Sequence, residues 1–192
     1  MPVAKLSVKE YLTLDRAEEI PSEYHDGETF PMVATTWQHG LLQANLCRRL
    51  SERLDNSACR VFGSVVRVRA SLKQFVHPDI AIICGKPAST DEHQDSITNP
   101  KVVVEILSPS TENYDYGGKF ILYRLLESFE EYLLVSQDRA RVEVFRKAPD
   151  HRWILSTYEG LEAVVPVESL GISLPLAEVY AGLELPALDL AS

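Results

Sequence analysis

The chain has 192 residues, 45% of them hydrophobic and 24% charged, with a formal net charge of −9. That size and mixture fit one ordinary domain, residues 1–192, with interior enough for a core, and exclude a disordered or fibrous chain. The acidic balance argues against a broad nucleic-acid-binding surface, though it leaves room for a narrow basic groove.

No apolar run reaches the roughly 18 residues needed to cross a bilayer, and the first 20 residues lack the continuous apolar region of a signal peptide. The cytoplasm is the expected compartment, and no membrane partner is expected. Cys47, Cys59 and Cys84 are odd in number and have no CxxC spacing. They read as small buried hydrophobes under reducing conditions rather than as disulfides or zinc ligands.

In chain order, Ser7 to Ile20 carries a helical pattern, with Ser7 as N-cap and Glu10 three residues on as its capping-box partner. Val8, Tyr11, Leu12 and Leu14 supply its apolar face. Asp26-Gly27 is a hairpin signal, because a type I′ turn needs positive φ at both central positions. Strands are expected around Glu23–His25 and Glu28–Val33. Leu41, Leu42, Leu46, Leu50 and Leu54 recur at helical spacing behind a Thr35 or Thr36 cap.

The stretch "CRVFGSVVRVRA" alternates as one half-buried strand, and Ser71 to Phe75 reads as a connection. Two Val/Ile-rich strands follow, "HPDIAII" containing Asp79 and "KVVVEIL" containing Glu105, separated by a polar loop over Lys86 to Asn99. A helix is expected from about Asp115 to Ser128, with Leu122, Leu125, Leu126 and Phe129 as its apolar stripe. "EYLLVS", "RVEVFRK" and "RWILSTYE" then form a closing meander. Val167 to Leu188 reads as one short helix and loops that cover a sheet edge.

Asp79 and Glu105 are the chemically informative residues. An ionised carboxylate inside a covered strand is costly unless paired. Two of them about 4 Å apart repel by roughly 4 kcal/mol at an effective dielectric near 20. A divalent cation relieves both, and hard oxygen donors suit Mg²⁺ or Mn²⁺. The bland alternative has Asp79 reaching solvent and Glu105 pairing with an arginine such as Arg67. Lys119 bears on the choice. It sits at the margin of the apolar stripe, in a first helical turn where the dipole disfavours a cation. A place opposite the acidic pair accounts for it, and snorkelling to the surface is the competing account.

"HPDIAII" and "NPKVVVEILSPSTENYDYGGKFILYRLLESFEEYLLVS", with "EYHDGE" and His39 upstream, resemble the Uma-two-type restriction-endonuclease family. This family lies within the PD-(D/E)XK nuclease superfamily and is common in cyanobacteria. The likeness spans about residues 7 to 185. It implies an α/β fold of the α+β kind: a restriction-endonuclease-like core with a central mixed sheet, the Glu105 strand inside it, flanked by helices. It also implies metal-dependent hydrolysis of DNA phosphodiester bonds.

Carried over by residue, Asp79 and Glu105 would be the two acids, with the Ile106 carbonyl completing the Mg²⁺ site. Leu107 stands where the superfamily usually has lysine. Lys119 on the following helix takes that role, within the pattern of Asp115, Lys119 and Tyr123, and Glu23 would be an outer carboxylate. Ser108 and Thr111 read as turn and cap residues, because neither has an evident histidine partner. His25, His39 and His77 could each approach the site, although a lone histidine is more often structural. Arg67, Arg69 and Lys73 are the candidates for phosphate contact, with a solvated strand face as the alternative. A homodimer is expected by analogy. The competing functions are a catalytically inactive scaffold on the same fold and a hydrolase of small phosphate esters.

Overall fold

The computed structural model describes residues 5–32, 35–63 and 66–185. Its first helix, α1 (Val8–Asp15), opens with the capping box of Ser7 and Glu10. It is shorter than the pattern implied. Tyr11 and Asp15 are buried, while Leu14 is exposed. Strands β1 (Ser22–His25) and β2 (Glu28–Pro31) form the expected hairpin, with positive φ at Asp26 and Gly27. Val33, expected to end β2, lies outside the described residues.

Helix α2 (Trp37–Leu54) is capped by the Thr36 hydroxyl, which accepts from the His39 N–H. Its residues Leu42, Leu46, Leu50 and Leu54 are all buried. The stretch expected as one strand is two, β3 (Cys59–Gly63) and β4 (Arg67–Ser71), and they belong to different sheets. Alternation alone does not reveal a break of this kind. The expected connection after β4 is itself a hairpin, returning as β5 (Gln74–Val76). Next come β6 (Ile80–Cys84), a two-residue β7 (Ser96–Ile97) inside the polar loop, and β8 (Val102–Ile106).

The expected helix over Asp115 to Ser128 differs most. Helical backbone starts earlier with α3 (Glu112–Tyr114), widens into a π-helical turn over Asp115–Lys119, and ends as α4 (Phe120–Tyr123). A stripe drawn at 100° per residue therefore loses register. Leu125 is exposed, and Leu126 and Phe129 are buried from the loop beyond the helix. The meander is present as β9 (Glu131–Val135), β10 (Arg141–Lys147) and β11 (Trp153–Glu159). The C-terminal segment is more ordered than expected. It pairs β12 (Val164–Val167) with β13 (Ile172–Pro175) before α5 (Leu176–Val179), and Leu188 lies outside the described residues.

The main sheet has six strands in the order β11-β10-β9-β8-β6-β3, antiparallel except for the parallel β8–β9 pair. β8 therefore lies inside the sheet, and all five of its residues are buried. Its even positions, Val102, Val104 and Ile106, pack with Ile80 and Ile82 against the leucines of α2. The odd position Val103 packs on the other face with Ala81, Tyr123 and Tyr132. A second sheet, β2-β1-β5-β4-β7, contributes Val68, Val76 and Ile97 to that second face. Since side chains alternate along a strand, Glu105 projects to this second face.

Cys59 and Cys84 form a disulfide, which corrects the expectation of three free thiols; Cys47 alone is free. The cause is register, because β3 and β6 place Cys59 directly opposite Cys84. Among the described residues, no helix is long and apolar enough to cross a membrane.

Candidate active site

Five segments of the chain meet at the end of the main sheet. Asp79 immediately precedes β6. Its Oδ2 accepts the Ile106 N–H at 2.7 Å, and its backbone N–H donates to Glu105 Oε2 at 3.2 Å. The two acids are thus held together by backbone donors across the β6–β8 pair. From α2, His39 Nε2 lies 3.0 Å from Asp79 Oδ1, and Gln43 donates to the Asp79 carbonyl at 2.8 Å. His39 Nδ1 is buried with no hydrogen-bond partner among the described residues.

The π-helical turn delivers the cation. Lys119 Nζ lies 3.1 Å from Glu105 Oε1, 3.5 Å from Glu23 Oε1 and 3.5 Å from Asp115 Oδ1, and it donates to the His77 carbonyl at 3.2 Å. Lys119 is only 8% exposed and Glu105 2%. Neither alternative raised by the sequence describes them. Lys119 does not snorkel outward, and Glu105 pairs with this lysine instead of Arg67. One turn further on, Tyr123 donates to Glu105 Oε1 at 2.8 Å.

Glu23 extends the network outward. Its carboxylate accepts the His77 N–H at 3.1 Å and the Tyr114 hydroxyl at 2.8 Å, and His25 Nε2 lies 3.4 Å away. Gly118 allows the Tyr114 ring to lie here, since a Cβ at that position would stand 2.6 Å from ring carbons.

The electrostatics follow from burial and from the crowding of like charges. Burial raises the Glu105 carboxyl well above its ordinary range; Lys119 opposes this, and Asp79 and Asp115 add to it. Burial likewise raises Asp115. Lys119 is pulled down by burial but held well above the ordinary lysine range by Glu105, Glu23, Asp115 and Asp79. Burial raises Glu23 too, yet the His25 hydrogen bond, the Lys119 charge, the His77 N–H and the Tyr114 hydroxyl outweigh it and bring the carboxyl down to about 2.

Four carboxyl groups crowd one ammonium, and a further cation would offset the repulsion among them. Among the described residues, no group of three or more His, Cys, Asp or Glu side chains forms a metal cage. One or two carboxylates with room for several waters are donors of the kind a hard divalent cation takes. A cleft of about 710 Å³ lies over Asp79 and Glu105 and could hold those waters.

Arg67, Arg69 and Lys73 do not line this cleft. Arg67 is buried between Asp15 at 3.1 Å and Asp95 at 3.2 Å. Arg69 lies over the Phe75 ring, and Lys73 pairs with Asp26 at 2.8 Å. Ser108 and Thr111 bond one another through their hydroxyls, as turn residues do.

A solved structure titled as that of a putative nuclease belonging to DUF820, from Anabaena variabilis, superposes with a TM-score of 0.73 over 91% of this chain and 97% of that one. At 21% identity this likeness establishes the fold, which is restriction-endonuclease-like. Two proteins of Synechocystis sp. are each 32% identical to this chain. The uncharacterized protein slr1290 aligns over 95% of both chains, and sll1609 over 83% of this chain and 91% of its own. The family model Uma2, described as "Putative restriction endonuclease", matches residues 8–177, and the chain belongs to that family.

Proposed function

We propose that this protein is a divalent-metal-dependent endonuclease that hydrolyses phosphodiester bonds of DNA. One observation carries the reading: at the cleft, Glu105 accepts from the Asp79 backbone N–H through one oxygen and lies 3.1 Å from Lys119 Nζ through the other, so three separate segments meet there. Buried titratable groups shifted by desolvation and by a specific charge partner, at a cleft, are the pattern of a functional site.

In this reading Asp79, Glu105 and the Ile106 carbonyl hold the metal. Bound there, Mg²⁺ or Mn²⁺ would polarise the phosphate and lower the pKa of a bound water. Lys119 orients the attacking water and offsets charge that develops on the phosphate. Glu23 and Asp115 hold the ammonium in place, Tyr123 fixes one oxygen of Glu105, and His39 fixes one oxygen of Asp79. A homodimer would bring two such sites to one DNA molecule.

A catalytically inactive scaffold is the second reading. It is favoured by the saturation of Glu105, whose two oxygens already accept from Tyr123, Lys119 and the Asp79 N–H. Cleavage of supercoiled plasmid in Mg²⁺ or Mn²⁺ by the wild type, Asp79→Ala and Lys119→Ala decides between them. Cleavage by the wild type alone supports the nuclease. No cleavage by a cooperatively melting wild type supports the scaffold, and cleavage that survives both substitutions overturns the site assignment.

A further inference from the structure

The walls of the cleft say more about its substrate than its floor does. Lys119 is the one lysine or arginine in the lining among the described residues, against Glu23, Asp79, Glu105, Asp115, Asp138 and Glu184. Proteins that grip duplex DNA neutralise many phosphates, and about 6 to 10 such contacts are usual. This cleft offers one ammonium, and Arg67 and Arg69 of β4 and Lys73 of the turn after it are engaged elsewhere.

The lining offers aromatic and apolar surface instead. All four residues of β2, an edge strand, are exposed, and Phe30, Pro31 and the adjacent Met32 line the cleft. Phe30 is 49% exposed. Its ring centroid lies 5.3 Å from that of His25, which lies 6.0 Å from that of Tyr114, whose ring lies 5.9 Å from Lys119 Nζ. Phe30 and Tyr114, both in the lining, are thus linked through the His25 ring, and Tyr114 borders the ammonium. Exposed rings of this kind are the stacking platforms on which proteins hold unpaired strands, because every base has a π-face. A volume of about 710 Å³ is also of the scale that holds a small molecule or an extruded nucleotide.

We infer that the cleft admits an unpaired DNA strand, with one base stacked on Phe30. This rests on the nuclease reading and narrows its substrate.

Fluorescence anisotropy of a labelled 12-nucleotide single strand, and of the same sequence as a blunt duplex, tests this in Ca²⁺ so that turnover does not interfere. The single strand is expected to bind at least tenfold more tightly. Phe30→Ala should cost that strand roughly tenfold, and Phe30→Trp should restore it. Since the lysine in the lining is already paired with acids, the slope of log K against log salt should be shallow, no steeper than about −0.7. Phe30 is exposed, so neither substitution threatens the fold. Equal or tighter duplex binding, or a Phe30→Ala variant with unchanged single-strand affinity, overturns the inference while leaving a nuclease reading intact. Binding of neither form, with no plasmid cleavage, overturns both.

Discussion

Lys119 Nζ stands 3.1 Å from Glu105 Oε1 in an enclosed position, so each residue is the other's main electrostatic partner. Lys119→Met would leave Glu105 without its cation. Removing one member of a buried pair typically costs about 3–5 kcal/mol. Glu105 already sits above the ordinary carboxyl range, and a raised carboxyl loses stability as pH climbs past its unfolded value. The variant's deficit should therefore be larger at pH 8 than at pH 5. Urea melts at the two pH values measure this, and a deficit that shrank at pH 8 would show that Glu105 is not the group left uncompensated.

Glu23 has the opposite sign. Its carboxyl is at about 2 in the folded chain, against an ordinary 4.5. A depressed carboxyl stabilises the fold above the unfolded value, and that contribution is lost as pH falls toward the folded one. Glu23→Gln should cost up to about 3 kcal/mol near pH 6. The gap from wild type should close between about pH 4.5 and pH 2. Equal gaps at pH 6 and pH 3 would refute an ionised Glu23 as its source.

Gly117 and Gly118 are neighbours with opposite expected responses to alanine. At Gly117 a Cβ meets nothing within 4 Å, so alanine should stabilise the helical turn by about 0.5–1 kcal/mol. At Gly118 the Cβ would strike the Tyr114 ring, which is tied to Glu23 and His25. That substitution should cost about 1–3 kcal/mol and displace Lys119. Thermal melts of both variants and the cleavage rate of Gly118→Ala report this, and two stabilised variants would contradict the packing described.

Arg67→Met should destabilise the chain by about 3–5 kcal/mol, because Asp15 would remain buried without a counter-charge. It should leave the salt dependence of DNA binding unchanged, since Arg67 faces acids and does not line the cleft. A shallower salt slope in a folded Arg67→Met would return this arginine to the phosphate contacts.

The strands of Asp79 and Glu105, the hairpin at Asp26-Gly27 and the capping box at Ser7 are readable in the sequence because each rests on residues adjacent in the chain. Asp79 and Glu105 could be paired beforehand because an acid in a covered strand needs an explanation whatever the fold. The features that escaped depend on register or on distant partners. Cys59 meets Cys84 only through the β3–β6 pairing, and Arg67 meets Asp15 only when α1 docks. The π-helical turn, which ends at Lys119, shifts every later side chain relative to a 100° wheel, so the stripe through Leu125 does not hold. His39 was one of three equivalent histidines until α2 placed it against Asp79.

The parallel pairing of β8 with β9 has a kinetic meaning. The chain between these strands is the crossover that carries Lys119, whereas Asp79 and Glu105 are joined by the simpler antiparallel contact of β6 with β8. Parallel contacts close late, because the loop must lose its freedom before any pairing compensates. The site therefore draws on both kinds of contact: the antiparallel one that joins its acids and the crossover that carries its ammonium.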